Sequence, residues 1–550
     1  MKIFKTITAT AIGLTLFTSV FSQKMSYSWD NLPKVILPQF KADTFDIRTY
    51  GAKSDGFTLN TESINKAIID CSAKGGGVVL VSPGIWITGP IILKSNVNLH
   101  ISRSALIQFT ADKTQYQLVE ANFEGHRSIR NQSPISGINL TDVAITGEGI
   151  IDGHGEVWRA MGKDGVTETI WKQLITTGVL SPDGKTWYPS ESYAKGARNS
   201  NGNTLTAEKS VADLREMKDF FRPNMLVLTN CKRVLLQNAT FQNSPAWCLH
   251  TLLCEHLTFD GVHVRNLPNA QNGDGMDIES CSYVKVQNST LDCGDDGICI
   301  KSGKDEEGRR LGKPTQYVII QNNVVYDAHG GFVIGSEMSG GAHDIFVTDC
   351  TFTGTDNGLR FKTTRGRGGI VENIFIRNIR MHNIGHDAIL FDMYYYAKVP
   401  SLAQTNGKVD IPAINDGTPQ FRNFYINNLV CDGADRAMLI RGLPEMSIKD
   451  IYLENVIIKA KRGVDIIEAK NINLKNVILE CNETKPLFNI ENSQQISFHQ
   501  VQSMLPPELF FSINGARCKQ ITVSSTNTVE AKHQADYNYG ADKSVLTFTK

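Results

Sequence analysis

Nine times between residues 230 and 480 a short apolar run is followed, four residues after its start, by a turn-forming residue. The runs begin at Val234, Leu257, Val284, Val318, Ile345, Ile374, Phe424, Ile451 and Ile472. Four places on stand Asn238, Gly261, Asn288, Asn322, Asp349, Asn378, Asn428, Asn455 and Asn476. Seven of the nine are asparagine, and glycine and aspartate are the residues that best replace it in a tight turn. Most steps between starts are 21 to 29 residues, and the longer steps into Val318 and Phe424 imply loop insertions. A leucine-rich repeat needs its own Leu-Asn signature, and a propeller blade needs more residues. What fits is an all-β solenoid, a right-handed parallel β-helix. Its stacked coils would set equivalent residues about 4.8 Å apart, so each column of the repeat becomes a row of neighbours in space.

A solenoid needs its open end covered. Ile64, Ala67, Ile68 and Cys71 follow helical spacing, with Gly75, Gly76 and Gly77 as the stop. This predicts a capping helix over residues 60–77, with Thr61 capping its start. A polar stretch at about 159–220, containing Ser181-Pro182-Asp183-Gly184, does not follow the repeat and is expected to lie beside the solenoid. The expected layout is a signal peptide at 1–22, a lead-in at 23–44 and one β-helix domain over 45–550. Lys2 and Lys5 before the apolar stretch Ala9–Phe21 carry the signal-peptide reading. That stretch is too short to span a bilayer comfortably, and no cysteine near the cut offers a lipid anchor. The expected location is therefore periplasmic or secreted. The 56 basic side chains balance 56 acidic ones, so no bulk field points to nucleic acid or an anionic membrane. The eleven cysteines contain no C-x-x-C pair, and they read mostly as small buried apolar residues.

A second column carries the chemistry. With the coils aligned on Gly275, Gly297, Gly331, Gly358 and Ala388, the positions one and three residues later are wholly apolar. They are Met276, Ile298, Phe332, Leu359 and Ile389, then Ile278, Ile300, Ile334, Phe361 and Phe391. With a period of two these face the core, and the intervening residues face outward. The outward set includes Asp277, Glu279, Cys299, Lys301, Arg360 and Lys362. Asp274 and Asp296 fall in one column one coil apart, and Asp295 and His329 share the next. Three carboxylates, an imidazole and two cations thus share one patch. Asp-Gly pairs often serve only as turns, but turns do not require like charges to crowd against their mutual repulsion.

Four ordered motifs then give a resemblance: Asn272-Gly273-Asp274, Gly294-Asp295-Asp296, His329-Gly330 and Arg360-Phe361-Lys362. Arg222-Pro223 and Asn243-Ser244-Pro245-Ala246-Trp247 agree with them. From about Phe45 to residue 400 the chain resembles glycoside hydrolase family 28, the polygalacturonase family. Typical endo-acting fungal members have Thr at the place of Gly273, Gln at that of Gly294, and Gly at that of Ala328. Gly335-Ser336-Glu337-Met338-Ser339-Gly340 looks more like bacterial exo-acting members.

The resemblance implies inverting hydrolysis of α-linked galacturonic acid in pectin, with Asp295 as general acid and Asp274 and Asp296 activating water. His329 would hydrogen-bond the acid. Arg360 and Lys362 suit a uronate carboxylate, and Asn272, Lys301 and Tyr394 complete the expected sugar contacts. No metal or organic cofactor is called for. The expected partner is a pectic polysaccharide or oligogalacturonide met by a monomer. The alternatives are a rhamnogalacturonan hydrolase of the same family, a calcium-dependent pectate lyase and a non-catalytic β-helix adhesin.

Overall fold

The computed structural model describes residues 27–199 and 214–549. The signal-peptide segment, part of the lead-in and part of the insertion lie outside the described residues. Up to Leu32 the chain forms a small unit of its own, whose described part is a turn closed by pairing of Ser28 with Asn31. Everything from Pro33 onward is a second unit, the β-helix.

In the middle of the chain each coil contributes three strands, and from Ile370 onward neighbouring strands run together, as in Ile370–His382 and Ile448–Ile467. One coil runs Glu255–Asp260, His263–Arg265 and Met276–Glu279; the next runs Ser282–Gln287, Thr290–Asp292 and Ile298–Lys301. All pairings within the large sheet are parallel, and each strand bonds to its counterparts in neighbouring coils, as at Leu257↔Val284 and Val284↔Val318. The nine run starts read from the sequence are in mutual register without a slip. The column continues upstream through Val97 and Val143 and downstream through Ile496 and Ile521, so coils fill the chain well past residue 480.

All nine turn residues adopt the left-handed conformation, with φ between 52° and 63°. That conformation costs most residues about 1–2 kcal/mol, and Asn tolerates it. The side chains then join the coils: Asn378 Nδ2 donates to Asp349 Oδ1 at 3.0 Å, and Asn428 Nδ2 to Asn378 Oδ1 at 2.7 Å. Both apolar columns of the front sheet are buried. Phe361 lies 4.6 Å from Phe391 and 4.9 Å from Phe424, centroid to centroid, so aromatic stacking continues the coil stacking inside.

The predicted cap is present as helix Thr61–Ala73, which buries Ile64, Ala67, Ile68 and Cys71. Its N-cap is Asn60, however, and Thr61 is the first helical residue. The Thr61 hydroxyl accepts from Gly89 N at 2.6 Å, so it ties the cap to the first coils instead of closing the helix end. The insertion folds as a small antiparallel sheet, Met161–Gly162, Val179–Leu180 and Thr186–Tyr188, with helices Glu168–Leu174 and Glu191–Asn199. A second excursion, unforeseen in the sequence, is the antiparallel hairpin Leu118–Phe123 with His126–Asn131. All eleven cysteines are buried free thiols. Cys231, Cys254 and Cys281 form one ladder, in which the backbone N–H of each of the first two donates to the next sulfur at 3.3 Å.

Asn428→Ala should lower the melting temperature, because it loses a ladder hydrogen bond and strains the turn, at a cost of about 1–3 kcal/mol. Asn428→Gly should recover the backbone share and lose only the bond. Equal melting temperatures for the two variants would show that the backbone conformation carries no cost there.

Candidate active site

The front sheet is made of Leu249–Leu252, Met276–Glu279, Ile298–Lys301, Phe332–Ile334, Leu359–Lys362 and Asp387–Asp392, one strand per coil. The turns that lead into these strands stack as tightly as the strands do. Gly275 N donates to Asp296 O, and Gly297 N to Gly330 O, both at 2.9 Å. His329 N donates to Asp295 O at 2.9 Å. Asp274 therefore lies over Asp296 and Asp295 over His329, as the column alignment requires. One oxygen from each of the three aspartates lies within 4.8 Å of the others.

The three carboxyls sit in different electrical environments. Asp296 is buried, with Oδ1 accepting from Arg360 Nη1 at 2.8 Å and Oδ2 from Lys362 Nζ at 2.7 Å. Burial alone would raise its pKa, but Lys362, Arg360 and Lys301 outweigh it and hold the carboxyl well below the ordinary aspartate range. Breaking such a buried pair leaves an uncompensated charge and commonly costs about 3–5 kcal/mol. Asp274 is driven the other way: burial, then the charges of Asp295 and Asp277, push it well above the usual range. Among the three carboxyls it is the one whose surroundings favour the protonated form. Asp295 Oδ1 accepts twice, from Asp296 N and from His329 Nδ1, each at 2.9 Å. Among the described residues no hydrogen bond engages its Oδ2. The bond to Asp295 raises the His329 pKa against the opposing effect of burial.

Asp274, Asp295, Asp296 and Lys362 line a cleft of about 200 Å³ together with Asn272, Lys301, Trp247, Glu337, Arg367, Tyr395 and others, and His329 and Arg360 are not among its lining residues. Asn272 Oδ1 accepts from Nη2 of the buried Arg222 at 2.8 Å, which orients the start of the Asp274 turn. Lys301 is buried against Glu337, Asp277 and the ring of Trp247. Tyr394 is not at the cleft. It is buried in the core, beneath Arg365 and Arg441, because it directly follows the last inward-facing positions of its coil. The next two residues, Tyr395 and Tyr396, reach the cleft instead, and Lys362 Nζ lies 5.0 Å from the Tyr395 ring. The outward positions Asp277, Glu279, Cys299 and Lys301 do leave the core, yet all four are buried. Outward in a β-helix means away from the axis, and here neighbouring excursions cover that face.

Glu337, Arg367, Trp247 and Arg222 were not singled out for a role by sequence reasoning. Glu337 and Trp247 stood inside motifs already noticed, but only the stacking of coils brings them to Lys301. A cation could in principle find three carboxylates here. The donor set speaks against it, since both oxygens of Asp296 are already taken by fixed cations.

Gly273 and Gly294 have a steric reason. A Cβ on Gly273 would stand 2.7 Å from Ala270 O, and one on Gly294 would stand 2.5 Å from Leu267 O and 2.6 Å from Ala270 O. The loop between Arg265 and Asp274 folds back over both glycines. The insertion supports it from outside, through Asn269 Nδ2 donating to Gly165 O at 2.8 Å.

Residues 190–418 match the family model for glycosyl hydrolases family 28. The chain is 27% identical to an exo-poly-alpha-D-galacturonosidase of Dickeya chrysanthemi over 452 residues, which is 79% of this chain and 68% of that protein. It is 26% identical to a probable polygalacturonase of Vitis vinifera over 436 residues, 77% of this chain and 76% of the relative. Among solved structures, an exopolygalacturonase of Thermotoga maritima superposes with a TM-score of 0.65 at 29% identity, covering 81% of this chain and 93% of that one.

The His329 ring should titrate above its ordinary 6.5 in a nuclear magnetic resonance pH series. Its raised value stabilises the fold at low pH, and that contribution is lost as pH rises through the folded-state pKa. In Asp295→Asn the titration should drop to 6.5 or below, because burial remains while the charged acceptor is gone. A value unchanged by the substitution would mean that Asp295 does not hold the imidazolium.

Proposed function

We propose that this chain belongs to glycoside hydrolase family 28 and that its cleft hydrolyses α-linked galacturonic acid bonds of pectin from a chain end, with Asp274, Asp295 and Asp296 as the catalytic carboxyls. The observation that carries the reading is the division of charge within the triad. One carboxyl is held between two cations, one is buried beside like charges that favour its protonated form, and one has an oxygen free of hydrogen bonds among the described residues. A glycosidase needs both protonation states side by side.

In this reading Asp295 is the general acid. Its Oδ1 accepts from Asp296 N and His329, so the transferable proton sits on Oδ2 and goes to the leaving glycosidic oxygen. Asp274 and Asp295 share that proton as a coupled pair, and the proton that Asp296 takes from the attacking water returns through Asp274 to Asp295 after each turnover. Asp296, with Asp274 beside it, orients and deprotonates the attacking water. Lys362 lines the cleft and has donors left beyond Asp296, so it can add a uronate carboxylate without releasing the base; Arg360 Nε is a buried donor without a hydrogen-bond partner. The nearest carboxyl oxygens are closer than the ~6.5–9.5 Å usual for inverting pairs, so stereochemistry is a direct test. Inversion gives β-galacturonate as the first product in a proton spectrum, whereas α-product first would assign a retaining route.

Chain-end action is supported by the cleft's size and walls. About 200 Å³ is small beside the ~300–1,000 Å³ of ordinary small-molecule pockets, which suits terminal sugars more than a threaded polymer. The wall has two supports. The loop over Gly273 and Gly294 is buttressed by the insertion, and the tip of the hairpin at 118–131 docks on Lys304, whose N–H donates to Gly125 O at 3.3 Å. Export by the segment at 1–22 completes the proposal; no described helix is long and apolar enough to cross a membrane.

Asp295→Asn should keep fold and substrate affinity and lose about a hundred- to ten-thousand-fold in kcat, the usual share of a general acid. Activity within tenfold of the parent on the preferred oligogalacturonide would remove Asp295 from that role. On polygalacturonate, monomer should appear steadily while viscosity falls slowly. An early collapse of viscosity with mixed oligomers would mean an open cleft, and preferential cleavage of rhamnogalacturonan oligomers would move the substrate within pectin.

A further inference from the structure

Beneath the triad lies a second layer of charge that the reaction scheme does not use. Lys301 is the last residue of its front-sheet strand, and its ammonium is enclosed. Nζ lies 3.1 Å from Glu337 Oε2, on the following coil, and 3.5 Å from Asp277 Oδ1, on the preceding one. The Trp247 ring covers another side, with Nζ 4.5 Å from its centroid. An ammonium has three donors and no more. Two carboxyls and an aromatic face surround it, though only Glu337 accepts a hydrogen bond. Lys362 is equally buried but gives its hydrogen bond to Asp296 of the triad, whereas that of Lys301 goes to Glu337, outside the triad.

The groups around Lys301 are nearly all acidic. On its own strand and the turn before it are Cys299, a neutral thiol that burial pushes far up, and Asp296. The preceding coil presents Asp274 and Asp277, together with Glu279, whose charge is met by His250 at 2.8 Å. The following coil presents Glu337, which Lys362, Arg367 and Lys304 approach from its far side. Burial works against a charged Lys301, and the carboxyls of Glu337, Asp277 and Asp274 work for it. Glu337 is correspondingly held down at about 2 despite its burial. Asp277 has no hydrogen bond on either oxygen, and burial lifts it to about 7, so Lys301 is its main electrostatic support.

We propose that Lys301 is a positioning residue and not a sugar contact: it is an internal counter-charge that keeps Asp296 and Glu337 in their charged forms beside Asp274. It thereby sets the acid edge of the working pH range. The inference rests on the galacturonide-hydrolase reading above, and it reassigns a residue expected from sequence to bind substrate. The sign follows from charge. A base must be ionised to work, and removing a buried cation beside it makes ionisation harder, so the acid edge moves up.

The test is the pH dependence of kcat and KM on one defined oligogalacturonide for the parent, Lys301→Met and Glu337→Gln. Release of galacturonic acid by the parent checks the activity itself. Only differences between parent and variants bear on Lys301. In Lys301→Met the acid edge should rise by about one pH unit or more, with kcat reduced at least about tenfold and KM within about threefold. Glu337→Gln is near-isosteric and leaves the lysine charge less compensated, so its acid edge should move down. It keeps the inference testable even if Lys301→Met fails to fold. A KM raised tenfold in Lys301→Met with an unmoved acid edge would make Lys301 a substrate contact. An acid edge that stays put or rises in Glu337→Gln would equally overturn the counter-charge role.

Discussion

Parallel hydrogen bonding between successive coils, carried in one register along the front sheet, is the constraint on which the active site depends. Asp274, Asp296 and Arg360 come from different coils, and no local turn could place them together. They meet because Gly275 N bonds to Asp296 O, Gly297 N to Gly330 O, and Val333 pairs with Arg360. A slip of one residue in any of these coils would send its functional side chains into the core and its core residues outward. The left-handed Asn turns help prevent that slip, since each holds its coil at one length between the first two strands.

The rigidity of this scaffold is used to hold an unfavourable charge arrangement. Buried carboxyls at Asp274, Asp277, Asp296 and Glu337 would repel one another if all ionised, and the structure separates their fates by the placement of cations. Asp296 receives two cations at hydrogen-bond distance, which favour its charged form; Asp274 receives none at that distance, and burial with its acidic neighbours favours the protonated form. The result resembles other acid and base pairs in which environment, not residue type, sets the role. Here the environment is a list of coil positions. A cation two coils beyond Asp296 suffices because side chains as long as Arg360 and Lys362 span that distance.

The cleft wall is built separately, from chain that leaves the solenoid. The loop before Asp274, the insertion after Trp158 and the hairpin at 118–131 belong to different coils and have no repeat of their own. The hairpin brings Glu124 to the cleft, and the insertion supports the loop from outside through Gly165. Gly273 and Gly294 mark where this wall reaches the catalytic turns: the loop approaches so closely that no side chain fits at either place. The wall and the two glycines therefore form one structural feature.

The repeat alone determined the solenoid, the register of nine coils, the inward columns and the meeting of Asp274, Asp295, Asp296, His329, Arg360 and Lys362. All of these follow from a period, and a period is legible in one dimension. What the sequence could not determine is whatever depends on how far a side chain reaches and what covers it. Tyr394 was expected at the cleft and is core, while Tyr395 reaches the cleft, because the chain leaves the strand alternation between them. Thr61 was expected to cap a helix and instead accepts from Gly89, a partner 28 residues away. The hairpin at 118–131 and the burial of Lys301 went unseen, since both arise from packing between excursions that carry no periodic signal. Only the tertiary structure decided which outward residues line the cleft and which lie covered, because burial is a property of what surrounds a residue.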